Sequence, residues 1–435
     1  MSISRVARSG ATIGFCAAVT LGLSGRDGLA QTNDVSLAPD MPADVIAGNP
    51  IGNYEDYNIY SWLSFVALNW PVGENGQPDV NSIIGQNGDN STVWETWMED
   101  YQILVEDGEV PPTWQAPRAV PPVCGNTKAQ SGPSRTIRHV SSKTGAVVSL
   151  TNQADAGPLI DQNGNYVRYE ILFNEIMYNY IVQNKLYTLA GLSDISEINF
   201  PAGASPFGNE GATEVKASWK ILGKGDDPSR FHVATSYVYD QAENTCASEM
   251  LGLVGFHIAT KTNSAPQWIW STFEHIDNAP DKGNLNTNKH YSFYSSGCLD
   301  NGSTCKANQL PEMPWNPTQS GQTPVQVVRE AQINGTTTRI NAHFQGALKA
   351  VNPHSVWGNY ILVGTQYPQK PSDPTDPQGR PFPPYLANTT METFLQGEVP
   401  TSSSSCIGCH SGATASNSGK PTDFTFILSR VTAKD

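Results

Sequence analysis

The residues with the most specific chemistry are Cys406-Ile407-Gly408-Cys409-His410, close to the C-terminal end of a chain of 435 residues. Two thiols separated by two residues and followed at once by an imidazole have the spacing that attaches a c-type haem. Each thiol can add across one vinyl group of the porphyrin, and the adjacent histidine then offers a ring nitrogen to the iron. The pattern therefore predicts one covalent haem c, with Cys406 and Cys409 as thioether residues and His410 as the proximal ligand. A structural zinc site would want a second Cys/His pair at ligand spacing. The chain has no second CxxC and no HxxxH.

The iron's other face is less determined. After His410 there is neither Met nor His, so a sixth ligand must come from upstream or be absent. A protein-supplied Met or His suits an electron carrier, whereas an open position binds or transforms a small molecule. The weak distal candidates are His257, Met250 and Met391, with His343 and His354 further along. His257 is expected in phase with Leu253, Gly255 and Ala259, where small neighbours leave room for a planar group. Glu274 and His275 are weak candidates for acid–base work, although strand alternation sends them to opposite sides of a sheet.

The N-terminus sets the expected compartment. Arg5 and Arg8 precede an apolar run from Ala11 to Leu23, and Gly28-Leu29-Ala30 offers small residues before Gln31, the pattern of a secretory signal peptide cleaved after Ala30. No later stretch approaches the roughly 20 apolar residues of a membrane span. A periplasmic or secreted protein is expected. Cys124, Cys246, Cys298 and Cys305 then suggest two disulfides. Three pairings exist; the turn-rich stretch between Cys298 and Cys305 favours a local bridge, which leaves Cys124 with Cys246. The formal net charge is −14, which argues against nucleic acid as a partner. It suits plain solubility or a docking face for a basic redox protein.

The elements that must position these residues read as α+β: an antiparallel β-sheet-rich body with several packed helices, and a haem-bearing C-terminal tail docked on it. Residues 1–30 are the signal peptide, 31–52 an exposed arm, 53–367 the body, 368–388 a proline-rich linker and 389–435 the haem-attachment segment. Helices are predicted over 54–70, from the Thr92-Val93-Trp94-Glu95 capping box through Tyr101, over 174–189 and over 337–350. Strands are predicted over 166–171, 215–222, 231–240, 250–261, 267–276, 325–333 and 357–367. Thr389-Thr390-Met391-Glu392 is a second capping box, opening a short helix. A tail this short cannot enclose a haem alone, so the ring must lie against the sheet.

Two resemblances follow from these residues. The CxxCH with its polar spacer and Asp423-Phe424-Thr425-Phe426 resembles the C-terminus of the β-sheet monohaem cytochromes, the cytochrome c-prime-beta family and its hydroxylamine-oxidising relatives. That likeness covers about 30 residues and implies haem held against an antiparallel sheet with the distal side open; it carries over Cys406, Cys409 and His410 and nothing distal. The stretches Ser64–Pro71 and Trp270–Asn278 resemble large bacterial proteins of the general cytochrome c family, which implies a class and no reaction. The leading expectation is a monohaem c-type cytochrome that passes single electrons to a redox partner protein. The alternatives are a haem oxidoreductase with an open site for peroxide or hydroxylamine, and a binding protein for nitric oxide or carbon monoxide.

Overall fold

The computed structural model describes residues 37–45, 53–85, 91–105, 109–116, 118, 122–125, 135–137, 157–204, 208–240, 244–285, 288–300, 306–312, 321–373, 375–398, 400, 402–416 and 418–431. The expected signal peptide and Cys305 lie outside these residues.

One antiparallel sheet organises the chain, as the alternating patterns predict. Its strands are β1 (Met98–Glu99), β2 (Arg135–Ile137), β3 (Arg168–Phe173), β4 (Thr213–Ile221), β5 (Val233–Asp240), β6 (Thr245–Thr260), β7 (Ile269–His275), β8 (Tyr360–Pro368) and β9 (Pro381–Phe382). The order is β1-β3-β4-β6-β7-β8-β9, with β5 on the first half of β6 and β2 parallel to β5. The helices are α1 (Tyr54–Leu68), α2 (Pro122–Gly125), α3 (Glu175–Gln183), α4 (Leu189–Asp194), α5 (Gly297–Asp300), α6 (Gly335–Val351) and α7 (Cys406–His410). The fold is α+β. No helix among the described residues is long and apolar enough to cross a membrane.

Both sheet faces are covered, which explains why every residue of β7 is buried. On one face α1 and α6 supply aromatic weight: Phe65 stacks on Phe273 at 4.2 Å, and Trp62 lies 5.1 Å from both Phe273 and Phe344. Asn53 starts α1 with a capping box to Asp56, satisfying N–H groups that the first turn leaves over. The other face carries a second apolar cluster containing Met177, Trp268, Trp270, Ile407, Ile427 and Leu428. The C-terminal tail thus docks on the face that the large helices leave open.

Several local expectations change. The aromatic run at Trp94–Tyr101 keeps its Thr92/Glu95 capping box but makes two 3-10 turns, at Val93–Thr96 and Asp100–Gln102, with the short strand β1 between them, because Trp94 is drawn into the core against Phe256 at 4.9 Å. Residues 325–333 form no strand beyond a bridge from Arg329 to Asp281. Of the expected exposed arm, Ala43 is buried and Leu37 and Met41 pack against the core. The proline-rich linker is not a loose tether, since β9 returns onto β8 and Gln369 and Lys370 bond back to Arg380 and Gly379. Residues 389–392 form turns rather than a helix. Cys124 and Cys246 form a disulfide with Cα atoms 5.2 Å apart, and Cys298 is disulfide-bonded too.

Glu274 and His275 do fall on opposite sides of β7, and both serve packing. Glu274 accepts from Arg329 at 2.6 Å and from the Thr389 backbone N–H and hydroxyl. His275 stacks on Phe231 at 4.1 Å; its Nε2–H donates to the Arg230 carbonyl, and Nδ1 accepts from the Asp277 N–H. Both ring nitrogens are thus satisfied by the neutral imidazole. Burial pushes its pKa down to about 4, against the pull of the nearby Asp277 carboxylate. The unfolded chain therefore takes up this proton first, and stability falls as pH drops from 6.5 through 4. The difference between the ordinary 6.5 and about 4 corresponds to roughly 3 kcal/mol. We predict that His275→Gln is destabilising at pH 7 and that its gap from wild type narrows by up to about 3 kcal/mol by pH 4 in urea titrations. A gap that stayed constant would contradict a buried neutral ring.

Candidate functional site

The CxxCH segment folds as α7, a helix too short to be stable alone. Its support comes from outside. Ser405 caps it by accepting from the Gly408 N–H, and Ile407 is fully buried in the tail-side cluster. Gln366, fully buried on β8, accepts from the Ile407 N–H at 2.7 Å and the Ser405 hydroxyl at 3.1 Å while donating to the Pro383 carbonyl. One amide side chain thereby fixes the helix start and the returning linker together.

His410 is oriented from the other end of the tail. Its Nδ1–H donates to the Phe424 carbonyl at 2.7 Å, which makes Nε2 the nitrogen for a metal. That carbonyl is delivered by an unusual backbone: Asp423 and Phe424 have φ of 53° and 67°, a conformation that costs a non-glycine residue about 1–2 kcal/mol. Anchors hold it. The Asp423 carboxylate accepts from Lys261 and from the Phe200 N–H, and Phe426 meets the His410 ring edge-on at 5.1 Å. Lys420 binds the carbonyls of Leu192, Ser193 and Ile195, and Arg430 pairs with Asp100.

Between α7 and the sheet lies a small cleft of about 50 Å3 whose walls include His410, Trp270, His257, Lys216, Glu392 and Phe426. A neighbouring cavity of about 20 Å3 shares His257, Trp270, Glu392 and His410 and adds Cys406 and Cys409. The Trp270 ring lies 4.1 Å from the His410 ring. Cys406 and Cys409 are in the thiol form, in contrast to the oxidised Cys124 and Cys246. Two thiols and an imidazole with a fixed tautomer, converging on one partly apolar cleft, are a donor set that fits a porphyrin tethered by thioethers.

The distal candidates separate. His257 reaches the cleft; Met250 is exposed, Met391 is buried in a different apolar cluster, and His343 and His354 are exposed. His257 shares its face with Gly255 and Ala259 as expected, but not with Leu253. A bulge at Val254 pairs Ser218 with Gly255 and Trp219 with Leu253, turning Leu253 into the helix-side core. The Gly255 position is crowded from above: an added Cβ would lie 2.3 Å from Thr390 Oγ1 and 3.1 Å from Asn388 Oδ1. Glycine there lets residues 388–392 lie directly on β6.

Sequence reasoning missed Glu392 as a cleft residue. As part of a capping motif it was expected to serve a helix N-terminus; instead it accepts from the Asn388 N–H and places Oε2 at 3.4 Å from His257 Nε2. His257 Nε2 is buried, with the Glu392 carboxylate 3.4 Å away as its charged neighbour, a long contact that is chiefly electrostatic. Burial alone would raise the Glu392 carboxyl, but His257, Lys216 and the Asn388 N–H outweigh it and hold it at about 2. Comparisons with protein-family models, curated proteins and solved structures give no match to this chain.

Gln366→Leu leaves the buried Ile407 N–H without its acceptor, at a cost of about 1–3 kcal/mol. We expect faster amide hydrogen exchange over residues 405–411, with exchange in β4 and β6 unchanged.

Proposed function

We propose that this chain is an exported monohaem c-type cytochrome that performs one-electron redox chemistry in the periplasm. The supporting observation is the convergence of Cys406, Cys409 and a tautomer-fixed His410 on one cleft against the antiparallel sheet. Cys406 and Cys409 would hold the porphyrin covalently and His410 would ligate its iron. When bound, haem supplies a one-electron couple at a potential tuned by its axial ligands and surroundings.

The chain's own residues supply the rest. The Phe424 carbonyl accepts a hydrogen bond from His410 Nδ1–H and so fixes the ring's orientation and tautomer. Trp270 and Phe426 shield the imidazole from water on two sides. Gln366 and Ile407 resist movement of α7, which limits reorganisation as charge changes. The acidic balance of the chain suits a basic redox partner protein. The likeness of the tail to β-sheet monohaem cytochromes belongs to the same reading. A second reading, a site that takes an exogenous small ligand, is favoured by one feature: neither Met250 nor Met391 reaches the cleft.

The test is maturation in a host competent for export and haem ligation. The wild-type chain should retain haem through denaturing electrophoresis, and Cys406→Ala/Cys409→Ala should lose it. Haem retained by the double variant would refute thioether attachment. His410→Ala should keep the thioether-bound haem while changing the ferrous visible spectrum.

A further inference from the structure

Lys220, Asp226 and Asp161 form a buried charged cluster that shares no residue with the CxxCH cleft. Lys220, near the end of β4, places Nζ 2.6 Å from Asp226 Oδ1 and 3.8 Å from Asp161 Oδ2, and each of the three side chains is 1% exposed. Such a cluster is costly to bury, and its parts are ordered for a reaction. Asp226 is held by its far oxygen: Oδ2 accepts from the Gly223 N–H at 2.8 Å and from the Asn163 side-chain amide at 2.9 Å. Two donors on one carboxyl oxygen, with an amine against the other, is the geometry of an acyl group that faces a nucleophile and has an oxyanion hole behind it.

Asp161 completes the arrangement. It is fixed through Oδ1, which accepts from the Asn163 and Asn165 N–H groups at 2.9 and 2.8 Å, so Oδ2 is the oxygen that faces Lys220. Gly164, with φ of 78°, closes the turn that supplies these donors. Burial pushes the Asp161 carboxyl up to about 6, against the pull of Lys220, a value suited to passing protons near neutral pH. Glycine at 223 is required for the same assembly. An added Cβ there would lie 2.6 Å from Asn163 Cγ and Nδ2, and would keep that amide from closing over Asp226.

We propose that Lys220 and Asp226 join through an intramolecular isopeptide amide, with Asp161 as the proton shuttle. The Lys220 ammonium passes one proton to Asp226 Oδ1 along the 2.6 Å contact, and the freed amine attacks Asp226 Cγ. Charge that collects on Oδ2 is met by the Gly223 and Asn163 donors. Asp161 then takes a second proton from Nζ and delivers it to Oδ1, the Cγ–Oδ1 bond breaks and one water leaves. Nζ keeps its last proton as the amide N–H, Oδ2 becomes the amide carbonyl, and Asp161 returns to its starting state. The product closes residues 220–226 into a covalent ring and replaces a buried ion pair with a neutral amide, which removes the desolvation cost of two charges. No oxidant or cofactor enters the step, and the inference does not depend on the haem assignment.

The experiment is peptide mapping by mass spectrometry of the purified full chain after disulfide reduction. In a tryptic digest, residues 217–224 should stay joined to residues 225–230 through Lys220 and Asp226, with Lys220 uncleaved and the joined species lighter by one water than its two peptides together. Lys220→Arg, which keeps a cation beside Asp226, should abolish the joined species while thermal unfolding stays cooperative. Asp161→Asn should slow joining about a hundredfold, read as separate peptides in freshly purified protein. Wild-type protein that trypsin cleaves fully after Lys220 would overturn the proposal. So would a water loss confined to residues 225–230, which is the mark of a succinimide, and joining undiminished in Asp161→Asn would remove Asp161 from the reaction.

Discussion

A five-residue helix cannot hold itself together, and the site depends on how this protein solves that constraint. The first turn of any helix leaves N–H groups without partners, and α7 consists of little more than a first turn. Ser405 takes one N–H and the buried Gln366 takes another. Because Gln366 belongs to β8, the CxxCH segment is registered to the sheet by a direct hydrogen bond. Its amide end also binds the Pro383 carbonyl, so helix and linker are fixed by the same side chain. Ile407 adds the apolar anchor.

The rest of the tail extends this logic across the sheet face. Asn388 donates to Thr272 and to the Phe273 carbonyl, Thr389 meets Glu274, and Thr390 bonds to Ser218. These contacts form because Gly255 removes the side chain that would otherwise keep residues 388–392, a strap across the sheet, off β6. Arg329 closes the arrangement by pairing with Glu274 beneath Thr389. Removing one member of a buried pair is far more damaging than replacing both, so the Arg329–Glu274 contact ties the strap's position to the loop that carries Arg329. The strap in turn sets Glu392 beside His257.

Strain and anchoring meet at Asp423 and Phe424. Two successive non-glycine residues in the left-handed region persist only where their surroundings over-determine them, and here Lys261, the Phe200 N–H and the Phe426 contact do so. The outcome is a carbonyl oxygen aimed at His410 Nδ1. The same residues contribute to stability and to the chemistry of the imidazole.

The chain's chemistry and its elements follow from the sequence where they depend on neighbours in the chain. The CxxCH spacing, the strand patterns of β3 to β7 and the helices α1 and α6 are local features, and these strands and helices occupy most of their expected ranges in the structure. Tertiary structure alone decided the rest, because it turns on pairs distant in sequence. The bulge at Val254 moved Leu253 to the other face, core packing of Trp94 replaced a helix with two 3-10 turns, and β9 folded the linker back onto β8. The pairing of His257 with Glu392 had no local signal. A strand histidine and a turn glutamate 135 residues apart meet only because a glycine on β6 lets the tail lie flat against the sheet.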